Sequence, residues 1–211
     1  MFDTFQSSKK PKTESSGQLG ELAGKKVVII CTGSISAMYL PPWLAWLETT
    51  YINIQFRVVL TQTALKFVGS YAVNTYSQSP FIVDDWNESG ARPIHIELSN
   101  WADGFIIHPA TIDYVSRLAN GTCNSPSLLA IQGSDKPIVV APALPPGYLN
   151  SHIWRAHSQV LSERSNIHIL QPVTGGSSSS QDLESYPPQP FPAATRTLAT
   201  ALSHITNGEE T

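Results

Sequence analysis

Cysteine, charge and long apolar runs are all scarce in this sequence. Cys31 and Cys123 are the only cysteines; they are too few for a disulfide framework and lack the spacing of a zinc site, so we expect reduced packing residues. Only 14% of the residues are charged and the formal net charge is -3, which disfavours a nucleic-acid binder and a disordered chain. No apolar stretch approaches the ~20 residues that span a bilayer, and no signal segment is visible, so we expect a cytoplasmic protein that does not enter a membrane.

The sequence suits one domain, with a stretch of small and polar residues before it and a second such stretch within it. A chain of 211 residues suits one domain, which we place at 25–206. Residues 1–24 lack apolar periodicity and predict a flexible leader. Residues 173–192 hold four consecutive serines and four prolines. This composition is typical of a mobile loop, for which a substrate lid and simple disorder are both open interpretations.

Apolar, β-branched segments alternate with helical patterns along the domain. Buried strands are predicted at 27–30, 55–60, 104–108, 137–141 and 167–170. Helical patterns lie at 38–47, 61–68, 111–120, 152–163 and 193–205. Pro41 and Pro42 predict that the first helix begins irregularly or only after them. The alternation predicts an α/β fold with a doubly wound parallel sheet, Rossmann-like or flavodoxin-like, with a ligand crevice at the carboxyl ends of the strands.

A turn of small residues, Thr32-Gly33-Ser34-Ile35, directly follows the first predicted strand. A helix that begins there would offer unpaired N–H groups to a phosphate, with Gly33 permitting close approach and Ser34 adding a hydroxyl. A turn that merely lets a helix pack on a strand is the alternative. The sequence has no Walker lysine and no complete G-x-G-x-x-G here, which argues against a nucleoside triphosphate and a standard dinucleotide.

Three further segments follow predicted strands and should converge on the same crevice. Residues 61–67 read Thr-Gln-Thr-Ala-Leu-Lys-Phe, in which Thr61 or Thr63 is a candidate helix cap. Residues 109–113 read Pro-Ala-Thr-Ile-Asp and are followed at 118–123 by Leu-Ala-Asn-Gly-Thr-Cys. The last of the three ends in Asn-Ser-His-Ile-Trp at 150–154.

Taken in order, these segments resemble the flavoproteins that decarboxylate cysteine, namely the lantibiotic peptidyl-cysteine decarboxylases and the phosphopantothenoylcysteine decarboxylases. The likeness covers about 25–170 and implies FMN as the cofactor. Asp113 stands where the family usually has Asn, which would put a carboxylate near the flavin or change the local hydrogen bonding. The residues that the resemblance assigns to FMN are Thr32, Gly33, Ser34, Ile35, Thr61, Thr63, Phe67, Pro109, Ala110, Thr111 and Asp113.

The resemblance also implies two catalytic residues and no metal. His95, in Pro-Ile-His-Ile-Glu-Leu, occupies the place of the family's catalytic histidine shortly before the third strand. A histidine suits removal of a thiol proton or assistance to hydride transfer. Asn150 could hold a carboxylate through its amide without protonating it. Without the resemblance, His95 would be interpreted as a structural histidine and Asn150 as a turn residue.

The implied reaction is oxidation by FMN of the C-terminal cysteine of a precursor peptide, followed by loss of CO₂. The product would be an aminoenethiol, from which aminovinyl-cysteine rings are made. Phosphopantothenoylcysteine decarboxylases, which serve coenzyme A synthesis, reduce their product with a cysteine in the late loop, whereas 173–192 has none. This absence favours the peptide-acting branch; a phosphopantothenoylcysteine decarboxylase, a flavin prenyltransferase and a non-catalytic flavin-binding regulatory relative are the alternatives.

Self-association is a further implication of the resemblance. The family forms trimers with the flavin at the subunit boundary, which implies that His95 is given to a neighbour's site. Assembly of four trimers into a dodecamer is left open.

Overall fold

The computed structural model describes most of the predicted domain. It covers residue 20 and the ranges 22–87, 93–173, 175–176 and 184–208. The expected leader at 1–24 falls mainly outside these ranges, as do 174 and 177–183 of the expected loop. Leu22 is fully buried in the core, so packing begins before Lys25. The domain limits otherwise stay a prediction.

Six parallel strands form the central sheet. They are β1 (Lys26–Cys31), β2 (Gln55–Leu60), β3 (Ile82–Val83), β4 (Gly104–Thr111), β5 (Ile138–Ala143) and β6 (Ile167–Ile169). Their order is β3-β2-β1-β4-β5-β6, the 3-2-1-4-5-6 order of doubly wound folds, which places the topological switch point between β1 and β4. The predicted doubly wound parallel α/β fold is confirmed.

The apolar run of β1 is explained by burial on both faces of the sheet. Val28 and Ile30 pack into one hydrophobic core, whereas Val27, Ile29 and Cys31 pack into the other. Successive side chains of a strand point to opposite faces, so a strand covered on both sides must be apolar at every position. Because β1 is packed on both faces, the turn that follows it is held in place beside the switch point.

The two cysteines lie in different environments. Cys31 is fully buried, and this burial raises the pKa of its thiol to about 12, so it is an inert packing residue. Cys123 is exposed. The expectation that both cysteines are packing residues is therefore wrong for Cys123, because it follows the end of a helix at the surface.

Seven helices lie in the described ranges. They are α1 (Leu40–Thr50), α2 (Ser70–Tyr76), α3 (Ile94–Trp101), α4 (Ile112–Ala119), α5 (Pro126–Gln132), α6 (His152–Ser162) and α7 (Phe191–Gly208). Pro41 and Pro42 lie in the first turn of α1, where a missing N–H costs no hydrogen bond. The helix therefore begins before the prolines. Within the part of the chain described, no helix has both the length and the apolar character needed to cross a membrane.

The segment after β2 contains less helix than the predicted range 61–68. Its regular part is a 3-10 turn at Ala64–Lys66, and α2 begins separately at Ser70. The Ala64 N–H donates to Thr61 Oγ1 at 3.2 Å, while the Thr63 side chain makes no cap hydrogen bond. Of the two candidate caps, Thr61 is therefore the one that acts.

His108 is a buried histidine on β4 with structural contacts, unlike His95, for which a catalytic role is expected. Its Nε2 lies 2.8 Å from the carbonyl oxygen of Gln189, and its ring packs edge-on against Phe191 with 5.1 Å between centroids. Burial disfavours the charged ring and lowers the pKa of His108 to about 4. The imidazole therefore joins α7 and its preceding segment to the sheet in the neutral form.

We expect His108 to make the domain less stable as the pH falls from 6.5 towards 4. The unfolded chain binds the proton near the ordinary pKa of 6.5, whereas the folded chain resists it down to about 4. The contribution of His108 is therefore complete above 6.5 and is lost at lower pH, by about 3 kcal/mol in the free energy of unfolding. Urea unfolding at neutral pH and at about pH 4 measures this loss.

The control for this effect is His108→Gln, which keeps an N–H donor for the Gln189 carbonyl but does not titrate. The difference in unfolding free energy between the wild type and this variant should shrink as the pH falls. Curves that stay parallel over this pH range would show that His108 is not a source of the acid sensitivity.

Candidate functional site

A cavity of about 380 Å³ opens at the carboxyl ends of β1, β4 and β5, beside the switch point. This is the size and place expected of a small-molecule site in a doubly wound sheet. One part of its lining is polar and consists of Gly33, Ser34, Ser36, Thr111 and Asp113. The remaining walls are mainly apolar and consist of Ile35, Ile112, Ala143, Leu144, Pro145, Pro146, Ser185, Tyr186 and Pro187.

Thr32 joins the ends of β1 and β4 beneath this cavity. Its hydroxyl donates to the Pro109 carbonyl at 2.7 Å and accepts from the Thr111 N–H at 2.8 Å. Thr32 is buried and does not line the cavity. The hydroxyl therefore holds the two strand ends together, and contact with a phosphate stays a prediction for Thr32 and for Pro109.

Gly33 is required by the close approach of a neighbouring loop. A Cβ at this position would overlap Cβ and Cγ2 of Thr63. The loop after β2 therefore packs directly on the turn that follows β1. Thr61, Thr63 and Phe67 do not line the cavity. Thr63 packs against the turn at Gly33, and contacts of the three residues with a flavin stay predictions.

The N-terminus of α4 forms part of the polar end of the cavity. Thr111 is its N-cap residue but makes no capping hydrogen bond through its side chain. The first N–H groups of a helix have no intrahelical partner and carry a partial positive charge, so this end suits an anion. Ala110, which precedes the cap, is fully buried and lets β4 pack closely.

Asp113 brings a carboxylate to this same end, but the carboxylate is paired. Its Oδ2 lies 2.7 Å from Nη2 of Arg117, one helical turn later. Arg117 also donates to the side chain of Asn124 at 3.3 Å. Arg117, on the same helix, therefore balances the negative charge that replaces the family's amide at position 113. This pairing offsets the repulsion between Asp113 and an anion in the cavity.

His95 lies on α3, outside the cavity at the switch point. It lines a second cavity of about 250 Å³ together with residues of α3 and α5, among them Ser99, Asn100 and Leu129. Its Nδ1 is buried and has no hydrogen-bond partner in the described part of the chain. Buried polar atoms are rarely left unpaired. The structure thus leaves Nδ1 of His95 enclosed and unpartnered among the described residues, on a residue that lines a cavity separate from the one at the switch point.

Asn150 lies on a 3-10 turn, Tyr148–Asn150, shortly after the cavity wall formed by Pro145 and Pro146. The turn begins after Gly147, whose φ of 78° lies in the left-handed region. Asn150 is exposed, and its backbone carbonyl oxygen accepts a hydrogen bond from Nη1 of Arg155 at 2.8 Å. One chain therefore does not bring His95 and Asn150 into one cavity.

The late loop contributes a wall that the sequence interpretation did not identify. Leu144 and Tyr186 exchange two backbone hydrogen bonds, at 2.9 and 3.2 Å, and Tyr186 is buried. Directly before Tyr186 lies β8 (Glu184–Ser185), which pairs antiparallel with β7 (Gly175–Gly176). The signal in the sequence was an aromatic residue directly before two prolines, which indicates an anchored end of the loop.

Known proteins resemble this chain in sequence and in fold. The profile of the family described as Flavoprotein matches residues 15–185. The cypemycin cysteine dehydrogenase (decarboxylating) of a Streptomyces species is 31% identical over 153 residues, which cover 72% of this chain and 79% of that protein. The bifunctional coenzyme A biosynthesis protein of Escherichia coli is 33% identical over 138 residues, but this chain spans only 32% of its length. A crystal structure of the cypemycin decarboxylase has a TM-score of 0.71 at 27% identity, covering 90% of this chain and 99% of that one.

Proposed function

Because the chain belongs to the Flavoprotein family, whose profile matches residues 15–185, we propose that it is an FMN-dependent cysteine decarboxylase. Its substrate is the C-terminal cysteine of a ribosomally made precursor peptide, and its product is a peptide ending in an aminoenethiol. The observation that carries this proposal is the cavity at the ends of β1, β4 and β5. The similarity to a decarboxylating cysteine dehydrogenase over 79% of that protein supports oxidative decarboxylation of a cysteine.

The residues of the cavity fit FMN at both of its ends. Gly33, Ser34 and the free N–H groups behind Thr111 would hold the phosphate, since they offer donors and a partial positive charge. The apolar walls, chiefly Ile35 and Tyr186, would hold the flat ring system. When bound, FMN supplies a hydride acceptor, which oxidation of the cysteine side chain requires.

His95 and Asn150 have complementary tasks in this proposal. The imidazole of His95, which lines the cavity between α3 and α5, would take the thiol proton as the Cβ–H bond is broken. The exposed amide of Asn150 donates hydrogen bonds to the substrate carboxylate and holds it as an anion. CO₂ then leaves with cleavage of the Cα–carboxyl bond, and the electron pair moves onto the oxidised carbon–sulfur unit. The enethiol is completed by a proton, which His95 is placed to return.

A complete site requires more than one copy of the chain. His95 lines a cavity between α3 and α5, whereas Gly33 and Thr111 line the cavity at the switch point. We propose that the imidazole of one copy faces the flavin cavity of a neighbour in a trimer. Further assembly into a dodecamer stays a prediction.

Mass spectrometry of three substrates tests the proposed activity. A peptide with a free C-terminal cysteine should lose CO₂ and two hydrogens when incubated with the purified protein and FMN. The same peptide as its C-terminal amide should lose no CO₂, because it has no carboxylate to lose. Turnover of phosphopantothenoylcysteine alone would assign the chain to coenzyme A synthesis, and turnover of neither would favour a flavin-binding protein without this activity.

A further inference from the structure

The imidazole of His95 is oriented by an aromatic side chain, although no role has been assigned to that residue. Nδ1 of His95 makes no hydrogen bond within the described ranges, so hydrogen bonding at this nitrogen does not fix the ring. Its aromatic neighbour is Trp86, with 5.5 Å between ring centroids and 69° between ring planes. Edge-to-face pairs of this kind contribute about 0.5–1.5 kcal/mol beyond the area they bury.

Trp86 is itself held in place, even though 41% of it is exposed. Its indole N–H donates to the Asn124 carbonyl at 3.0 Å. Two residues earlier, the buried Asp84 carboxylate accepts from the N–H of Ser127 at 2.8 Å and from its hydroxyl at 2.7 Å. The segment that carries Trp86 is therefore attached at two points to the start of α5.

We infer that Trp86 is a positioning residue for the catalytic imidazole, an inference that rests on the proposed function. Trp86 limits the rotation of the His95 ring and so holds the imidazole in one orientation. A misplacement of a catalytic group by about 1 Å can lower the rate by roughly 100-fold.

Two substitutions separate the ring contact from the hydrogen bond. Trp86→Phe keeps an aromatic ring against His95 but loses the donor to Asn124, whereas Trp86→Ala loses both. We expect kcat for the cysteine peptide to fall roughly 10- to 100-fold in the alanine variant, with KM nearly unchanged, and to recover to within a few-fold of the wild type in the phenylalanine variant. Tyr76→Ala is the matched control, since it removes another exposed aromatic side chain, 45% exposed.

A measurement without turnover keeps this inference separate from the proposed function. In the full-length protein labelled at histidine, the ring signals of His95 are identified by their absence in His95→Asn. We expect them to be single and sharp in the wild type and in Trp86→Phe, and broadened or split in Trp86→Ala. Unchanged His95 signals in a folded Trp86→Ala variant, or an equal loss of kcat in both Trp86 variants, would overturn the inference. If the wild type does not turn over the peptide, these signals alone decide it.

Discussion

Replacing His95 with Asn should reduce the loss of CO₂ from a cysteine peptide by about 100- to 10,000-fold, the range expected for removal of a general acid or base. FMN binding should be nearly unchanged, because the phosphate and the ring system are proposed to be held by Gly33, Ser34 and the apolar walls of the cavity rather than by His95. The rate is measured by mass spectrometry of the peptide and the binding by flavin fluorescence. Turnover within about tenfold of the wild type would show that His95 is not the acid or base.

Mixed assemblies test which copy of the chain uses His95. His95→Asn subunits and Asn150→Ala subunits are each expected to be inactive alone. If the imidazole serves a neighbour's cavity, subunits dissociated and reassembled together should regain part of the wild-type rate, because some sites then combine an intact His95 with an intact Asn150. No recovery in a mixture shown to exchange subunits would indicate that each chain uses its own histidine.

Gly33→Ala should weaken FMN binding by about 10- to 100-fold. The new Cβ would overlap Cβ and Cγ2 of Thr63, and relief of the overlap must separate the turn after β1 from the loop after β2. Overpacking of this kind costs about 1–3 kcal/mol, and each 1.4 kcal/mol is tenfold in affinity. Fluorescence titration with FMN measures the change.

Two controls distinguish lack of space from a general effect of replacing a glycine. Gly69→Ala adds a methyl group at a position with no atom within 4 Å of it, so FMN should bind as in the wild type. Adding Thr63→Gly to Gly33→Ala removes the atoms that the new Cβ would meet, and it should restore part of the affinity. Wild-type affinity in Gly33→Ala alone would show that this close approach does not shape the site.

The strands that build the cavity could be predicted because their sequences are determined by burial on both faces. β1 and β5 stand out as continuous apolar runs, and the turn at Gly33 follows from where β1 ends. The crevice at the carboxyl ends of these strands is then a consequence of parallel topology. This part of the site is local in sequence, so the sequence predicts it well.

Elements with a weak local signal could not be predicted. β3 has only two residues, and α3 and α5 are short helices of eight and seven residues. Because α3 was missing, the surface on which His95 lies could not be inferred. The pairing of Asp113 with Arg117, and of Leu144 with Tyr186, depends on side-chain direction and on contacts distant in sequence, which composition and spacing do not determine.

Titration of FMN with the purified protein tests the central claim most directly, since every proposed role depends on the cavity at the ends of β1, β4 and β5 holding this cofactor. The account predicts saturable quenching of flavin fluorescence with one FMN per chain, and weaker quenching by Gly33→Ala. A colourless protein that leaves the fluorescence of added FMN unchanged would contradict it.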